Sequence, residues 1–397
     1  MVSRRVLAVL VAVEIVIVAV VLVWKRLDGL DLDVYRLGAQ AFFEHGDPYG
    51  PLPATRNGTW LPFTYPPFAA IAFAPLLVVQ LDVALVALTV ISVIALAAVI
   101  ALCVGWYERR VAVAGAVVLG VQVGALMSEP VRATLGFGQV NLLLMVLVAV
   151  DALAPMRRWP RGVLIGLAAA VKLTPAVFVL FFLLRKDFRA AARSVAVFAG
   201  CAAIAWLIAP RASGEYWTRL MFAGERIGDP GYIGNQSLRG LIARLGIGSQ
   251  SLVWVVAAVV VLGLAVWVMR RAVHAGQPVL ALLACALGGL LVSPVSWTHH
   301  WVWGGPVLGV VCWLAVRGGR ARAVPLLGLA AVSAFVFLRS PLWDYRDVWP
   351  IRESYVLVGL VLLGMLGLLA KPLDDELHAP GERGDVVRVD RGEQADA

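Results

Sequence analysis

Asp31 and Asp33 stand two residues apart in the stretch Asp28–Pro67, the only long polar interruption in the first half of an otherwise apolar chain. A carboxylate beside an apolar surface is poorly hydrated, so its pKa rises and it becomes a usable general base. The same side chains also suit solvated loop positions, and Asp33 suits the cap of a following helix. His299 and His300 lie in Ser293–Trp301. Neighbouring residues point to different sides of a helix, so the pair is a poor metal site. It fits either contact with a phosphate or sugar, or an aromatic belt with Trp297, Trp301 and Trp303. Gly138-Gln139-Val140-Asn141 puts two amides at the end of an apolar run, for binding or as interhelical hydrogen bonds. Lys172, in Lys172-Leu173-Thr174-Pro175, is an ammonium in the middle of another apolar run. It calls for an anionic lipid headgroup or a carboxylate such as Glu129. No third residue supplies metal-ligand spacing, and no cofactor motif is visible; the expectation is no metal and no cofactor.

The elements that must position these groups follow from composition. Of 397 residues, 61% are hydrophobic and 15% charged, against roughly 25% charged in soluble domains. This is the composition of an all-α polytopic membrane protein, with residues 1–370 forming one bundle. The net charge of +9 does not point to nucleic acid, because the arginines sit in short clusters between apolar runs. Cys103, Cys201, Cys285 and Cys312 lie inside apolar runs and read as buried thiols. Arg4 and Arg5 precede an apolar run to Trp24 that is too long for a signal peptide and lacks a small-residue cleavage site, so a retained first helix is expected.

Ten spans are expected, near 6–24, 83–104, 111–127, 138–154, 190–209, 251–270, 278–293, 301–316, 323–338 and 354–370. With the N-terminus in the cytoplasm, every basic cluster (Arg109/Arg110, Arg157/Arg158/Arg161, Arg185–Arg193, Arg270/Arg271, Arg317–Arg322) falls inside. Two segments must not cross for this parity to hold. Phe68–Gln80 is short and follows Pro66-Pro67, so it is expected as a helix near the outer face. Gly162–Leu184, basic at both ends with Lys172 in the middle, is expected as a hairpin of two half-length helices. The loops 25–67, 128–137, 210–250, 294–300 and 339–353 then collect on the outer face. Val34–His45 and Leu238–Leu245 suit interfacial amphipathic helices. The charged tail 371–397 reads as a disordered cytoplasmic extension.

Six motifs in order carry a resemblance: Asp31-Leu32-Asp33-Val34-Tyr35, Phe63-Thr64-Tyr65-Pro66-Pro67-Phe68, Gly138-Gln139-Val140-Asn141-Leu142-Leu143, Lys172-Leu173-Thr174-Pro175, Gly234-Asn235-Gln236-Ser237 and Ser293–Trp301. The chain resembles glycosyltransferase family 87, polyprenol-phosphate-mannose-dependent alpha-mannosyltransferases of the GT-C class, over about three quarters of its length. The resemblance implies a GT-C bundle of about ten spans with a half-length hairpin and interfacial helices. It implies an inverting mannosyltransferase of the plasma membrane, with its site on the outer face. Donor and acceptor would be a polyprenyl-phosphate-linked sugar and a glycolipid or glycan, among membrane lipids and without nucleic acid. Asp31 falls at the family's catalytic position and Asp33 at a variable one, so the doublet leaves two candidate bases. Tyr35, Tyr65, Arg132, Gln139, Asn141, Lys172, Asn235, Gln236, His299 and His300 are the expected donor- or acceptor-binding residues. The alternative is a transporter or flippase of a polyprenyl-linked sugar, which would also want a mid-membrane Lys but does not require the long acidic outer loop.

Overall fold

The computed structural model describes residues 4–24, 27–155 and 159–372. The side chains of Arg4 and Arg5, the Arg157/Arg158 pair and the tail from residue 373 lie outside the described residues. The helices are α1 (Arg4–Trp24), α2 (Leu30–His45), α3 (Pro67–Ala72), α4 (Leu81–Tyr107), α5 (Val111–Met127), α6 (Glu129–Phe137), α7 (Asn141–Leu153), α8 (Val163–Val171) and α9 (Val179–Leu184). They continue with α10 (Phe188–Ile208), α11 (Pro210–Thr218), α12 (Leu238–Leu245), α13 (Gln250–His274), α14 (Pro278–Val292), α15 (Gly304–Arg317), α16 (Arg320–Arg339) and α17 (Ser354–Leu369). Short 3-10 turns and loops join them, and the described residues contain no strand.

All ten expected spans are helical, and they differ in length. Among the described residues five helices, at 81–107, 188–208, 250–274, 320–339 and 351–369, are long and apolar enough to cross a membrane. A sixth candidate is α5 with α6, bent by 70° at Ser128. The expected span at 138–154 starts only at Asn141, and α14 and α15 run 15 and 14 residues. The cause is local: Gly138, at φ 68, ends α6, and Ser293-Pro294 ends α14 before the turns Thr298–Trp303. Polar loops cut into the bundle and shorten the helices on either side. Phe68–Gln80 is also not one helix, because Pro75 breaks it into α3 and the 3-10 turn Ala74–Leu77. The chain is a multi-pass membrane protein, and all four cysteines are free, Cys312 half-buried and the others buried.

The hairpin is present. A Cβ on Gly162 would lie 2.1 Å from the Ala190 carbonyl oxygen, and one on Gly166 would lie 2.5 Å from that of Ser194. Contacts at 162 with 190 and 166 with 194 make α8 and α10 parallel. The segment 174–184 therefore returns to the level at which α8 began. Asp151 of α7 secures the turn into α8 by accepting the N–H groups of Gly162 and Ile165 at 3.0 and 2.9 Å. Glycines four apart let the two backbones touch, as in small-xxx-small membrane packing. Gly166→Leu is expected to cost about 1–3 kcal/mol, seen as a lower Tm in detergent, and to displace Lys172 at the hairpin's tip, seen as lost turnover.

The five expected outer loops interlock at one end of the bundle. The N–H groups of Asp28 and Gly29 donate to Gly136 O at 3.1 and 2.9 Å, and Thr298 Oγ1 donates to Glu129 at 2.8 Å. Asn235 and Trp297 form a bridge, Gln236 Nε2 donates to Arg352 O at 2.9 Å, and Arg244 pairs with Glu353. Another set joins the remaining connections: Glu108 with Arg110 and Arg317, and Tyr107 with Gln277.

Candidate active site

Asp31 sits half-buried in the first turn of α2. The helix starts four residues earlier than the expected Val34, because Gly29 takes φ 65 and Asp28 Oδ1 accepts the Leu30 N–H at 2.8 Å. Asp33 is therefore not a cap. It is buried one turn in, where its Oδ2 accepts the Arg56 N–H at 2.7 Å, and the Arg56 guanidinium returns to Asp28 O and Asp82. Asp33 thus holds the 47–62 loop onto α2, while Asp31 Oδ2 accepts from Gln139 Nε2 at 2.8 Å.

The Gln139 amide is oriented from behind. Its Oε1 accepts from Tyr35 Oη at 2.7 Å, with Tyr65 Oη 2.9 Å from the Tyr35 hydroxyl. Tyr35 is buried and stacked on Phe73 at 4.3 Å. With Oε1 taken by a phenol, the amide N–H must face the carboxylate. Burial pushes Asp31 up to about 6; Gln139 and the Lys172 charge pull it down and Asp28 adds to the rise. Asp31 is thus ionised at neutral pH yet close to titrating, the condition a general base needs.

Lys172 closes the other side. It ends α8 at the hairpin tip, where Nζ donates to Asn141 Oδ1 at 2.9 Å and to His300 Nε2 at 3.2 Å, and lies 5.5 Å from the Tyr65 ring centroid. Its partners are an amide and an imidazole, not the carboxylate Glu129. Burial, then the Lys172 charge, hold both histidines below the usual imidazole range, His299 at about 3. His300 is consequently neutral and its Nε2 accepts. The two rings meet edge-to-face at 4.7 Å, and His299 is buried against Phe137, with its carbonyl oxygen accepting from Thr134 at 2.7 Å and Asn141 at 2.9 Å. An apolar groove opens from Lys172, Asn141 and His300, walled by Leu144, Met145, Phe178 and Trp303.

Asn235 and Gln236 do not join this cluster. Asn235 Oδ1 accepts from Ser296 N at 3.0 Å and Nδ2 donates to Pro230 O; Gln236 bonds Ile233 O, Arg352 O and Tyr355 N. Both are buried and engaged in fixing the loop that carries the histidines. Arg132 is half-buried beside Glu129 and its side chain makes no hydrogen bond or ion pair among the described residues. Sequence reasoning missed Arg56, Thr134 and Tyr355, which have no local signal, because their partners are 23 to 226 residues away. Among the described residues no group of three His, Cys, Asp or Glu could hold a metal ion.

The family model for glycosyltransferase family 87 matches residues 63–294. The chain belongs to glycosyltransferase family 87. It is 40% identical to the polyprenol-phosphate-mannose-dependent alpha-(1-2)-phosphatidylinositol mannoside mannosyltransferase of Mycobacterium tuberculosis, over 85% of this chain and 81% of that one. The protein of the same name from Mycolicibacterium smegmatis is 38% identical over 92% and 89%. A pentamannoside mannosyltransferase of M. smegmatis is 35% identical over 86% and 85%. Among solved structures, ArnT from Cupriavidus metallidurans bound to undecaprenyl phosphate covers 92% of this chain and 77% of its own, at TM-score 0.44 and 14% identity, too distant to bear on the site. As a glycosyltransferase of this family the chain is an enzyme, and the carrier alternative falls.

Proposed function

We propose that this family 87 enzyme transfers mannose from polyprenyl-phosphate mannose to a phosphatidylinositol mannoside, at the outer face of the plasma membrane, with inversion and with Asp31 as the base. The observation that carries the reading is one arrangement: a carboxylate oriented by Gln139 faces a cation, Lys172, that heads an apolar groove. The groove suits a polyprenyl chain, and Lys172 with Asn141 and His300 suits the phosphate that joins it to the sugar. Phosphate is a good leaving group, so no acid is needed. The acceptor oxygen attacks C1 from the face opposite the phosphate and its proton passes to Asp31. As the new bond forms the C1–O bond breaks, its electron pair leaving with polyprenyl phosphate, whose second negative charge develops against Lys172. The related mannosyltransferases support both substrates by name.

Membranes bearing the protein, supplied with radiolabelled polyprenyl-phosphate mannose and a phosphatidylinositol mannoside, are expected to form an α-mannosidase-sensitive product. From a β-linked donor, a β-linked product would remove inversion, and no transfer to any mannoside would remove the acceptor class. Orientation is tested separately, in a background with Cys312 replaced. Trp60→Cys, at a side chain 72% exposed, is expected to react with an impermeant maleimide on intact cells, and His274→Cys only after permeabilisation. The reverse pattern would place the site inside.

A further inference from the structure

The motif Gly234-Asn235-Gln236-Ser237 takes no part in the chemistry above, yet it builds something. Thr298 N donates to Gly234 O at 3.0 Å and Gln236 N to Ser296 O at 2.8 Å, so the loop before α12 is stitched to the loop of the histidines. The stitching brings three rings together: Tyr232 lies 5.8 Å from Trp297 and 6.3 Å from Trp343. Gly234 is required there, since a Cβ would come within 2.7 Å of the Tyr232 ring and 3.3 Å of Trp343. Tyr232 remains 51% exposed, and Trp297 and Trp343 are half-buried. Rings serving only as core would be covered. Rings serving only as a lipid belt would stand apart from charged groups, whereas Trp343 and Arg132 both act on the half-buried carboxylate of Glu129.

Glu129 accepts from Thr298 at 2.8 Å and from Tyr355 at 2.9 Å, and burial raises its pKa. The Arg132 side chain makes no hydrogen bond among the described residues, so its five N–H donors are open although its charge acts on Glu129. The exposed Tyr232 ring and the half-buried Trp297 and Trp343, the last with the Arg346 guanidinium 5.7 Å from its ring centroid, lie beside a carboxylate and a guanidinium without hydrogen-bond partners, and so match the two kinds of surface a sugar ring presents. Its C–H face packs on aromatic carbon and its hydroxyls bridge charged acceptors and donors. Thr298, which ties this cluster to Glu129, is two residues from His300. We infer that Tyr232, Trp297 and Trp343, with Glu129 and Arg132 beside them, form a subsite for the mannose units of the acceptor beyond the one that reacts. This rests on the mannosyl-transfer reading, and it makes the enzyme prefer longer mannoside acceptors.

The probes are alkyl mannosides of one, two and three sugars on the same chain, with the full-length protein in nanodiscs. In the wild type, kcat/KM is expected to rise about three- to tenfold from the mono- to the trimannoside. In Tyr232→Ala that ratio is expected to fall to about one, and Tyr232→Phe, which keeps the ring, should retain it. A ratio near one in the wild type, or one unchanged in Tyr232→Ala, overturns the subsite. Quenching of tryptophan fluorescence by free mannotriose, without donor, reads binding alone. If no mannoside is ever mannosylated, the proposed function fails, but saturable quenching that disappears in Tyr232→Ala still supports the subsite, and its absence in the wild type overturns it.

Discussion

Asp31→Asn is expected to lower kcat by about 10²–10⁴-fold while leaving donor-lipid binding in place. Asn keeps an oxygen for the Gln139 amide, so geometry survives and only proton acceptance is lost. The same variant should be more stable. The carboxyl ionises near 3.8 when unfolded and near 6 when folded, so the folded state favours its protonated form. The contribution to stability is full below 3.8 and is lost as pH rises through about 6. Holding the ionised group at neutral pH therefore costs on the order of 2–3 kcal/mol, which the amide avoids; a raised Tm alongside a dead enzyme is the expected pair of results. In the wild type, turnover should fall as pH drops through about 6. Gln139→Leu removes a hydrogen bond that lowers the Asp31 pKa, so its acid limb should move to higher pH. Asp33→Asn separates the doublet: its carboxylate accepts the Arg56 N–H, a bond the amide oxygen can still accept in weaker, uncharged form, so Tm should fall only slightly and the acid limb should stay where it is. If Asp33→Asn instead abolishes turnover at full stability while Asp31→Asn does not, the assignment of the base is wrong.

The outline of this site was legible because membrane sequences write polar function against an apolar background. Lys172, Gln139, Asn141 and the histidines each stood out from a hydrophobic run, and the parity of basic loops grouped the loops that do interlock at one end. What pattern could not supply was depth. Nothing in the sequence around Lys172 shows that the hairpin tip meets Asn141 and His300, 31 and 128 residues away; that follows from α8 packing against α10 through Gly162 and Gly166. The Asn235-Gln236 pair shows the opposite case. Buried amides look the same in sequence whether they bind ligand or, as here, satisfy neighbouring backbone groups. Helix bounds were least legible where loops enter the bundle, because the 13-residue α7 and the turn before it read together as one apolar run.

Lys172→Met is expected to lower kcat by about 10²–10³-fold, with a smaller rise in donor KM. The reasoning turns on when charge appears. The donor's phosphodiester carries one negative charge in the ground state and approaches two as the sugar departs, so a fixed cation stabilises the transition state more than the bound substrate. His300 cannot replace it, because burial beside Lys172 keeps that imidazole neutral. Lys172→Arg should rescue poorly: the planar guanidinium must fit where a compact ammonium meets Asn141 Oδ1 and His300 Nε2 at 2.9 and 3.2 Å. A second readout separates charge from mere packing. The Lys172 charge lowers the Asp31 pKa, so Lys172→Met should shift the acid limb of the pH profile upward, which loss of hairpin packing alone would not do. In the proposed mechanism Asp31 and Lys172 act on opposite ends of one displacement, so the double variant should lose less than the product of the two single losses. Fully multiplicative losses with an unmoved acid limb would mean that the two groups do not share a site.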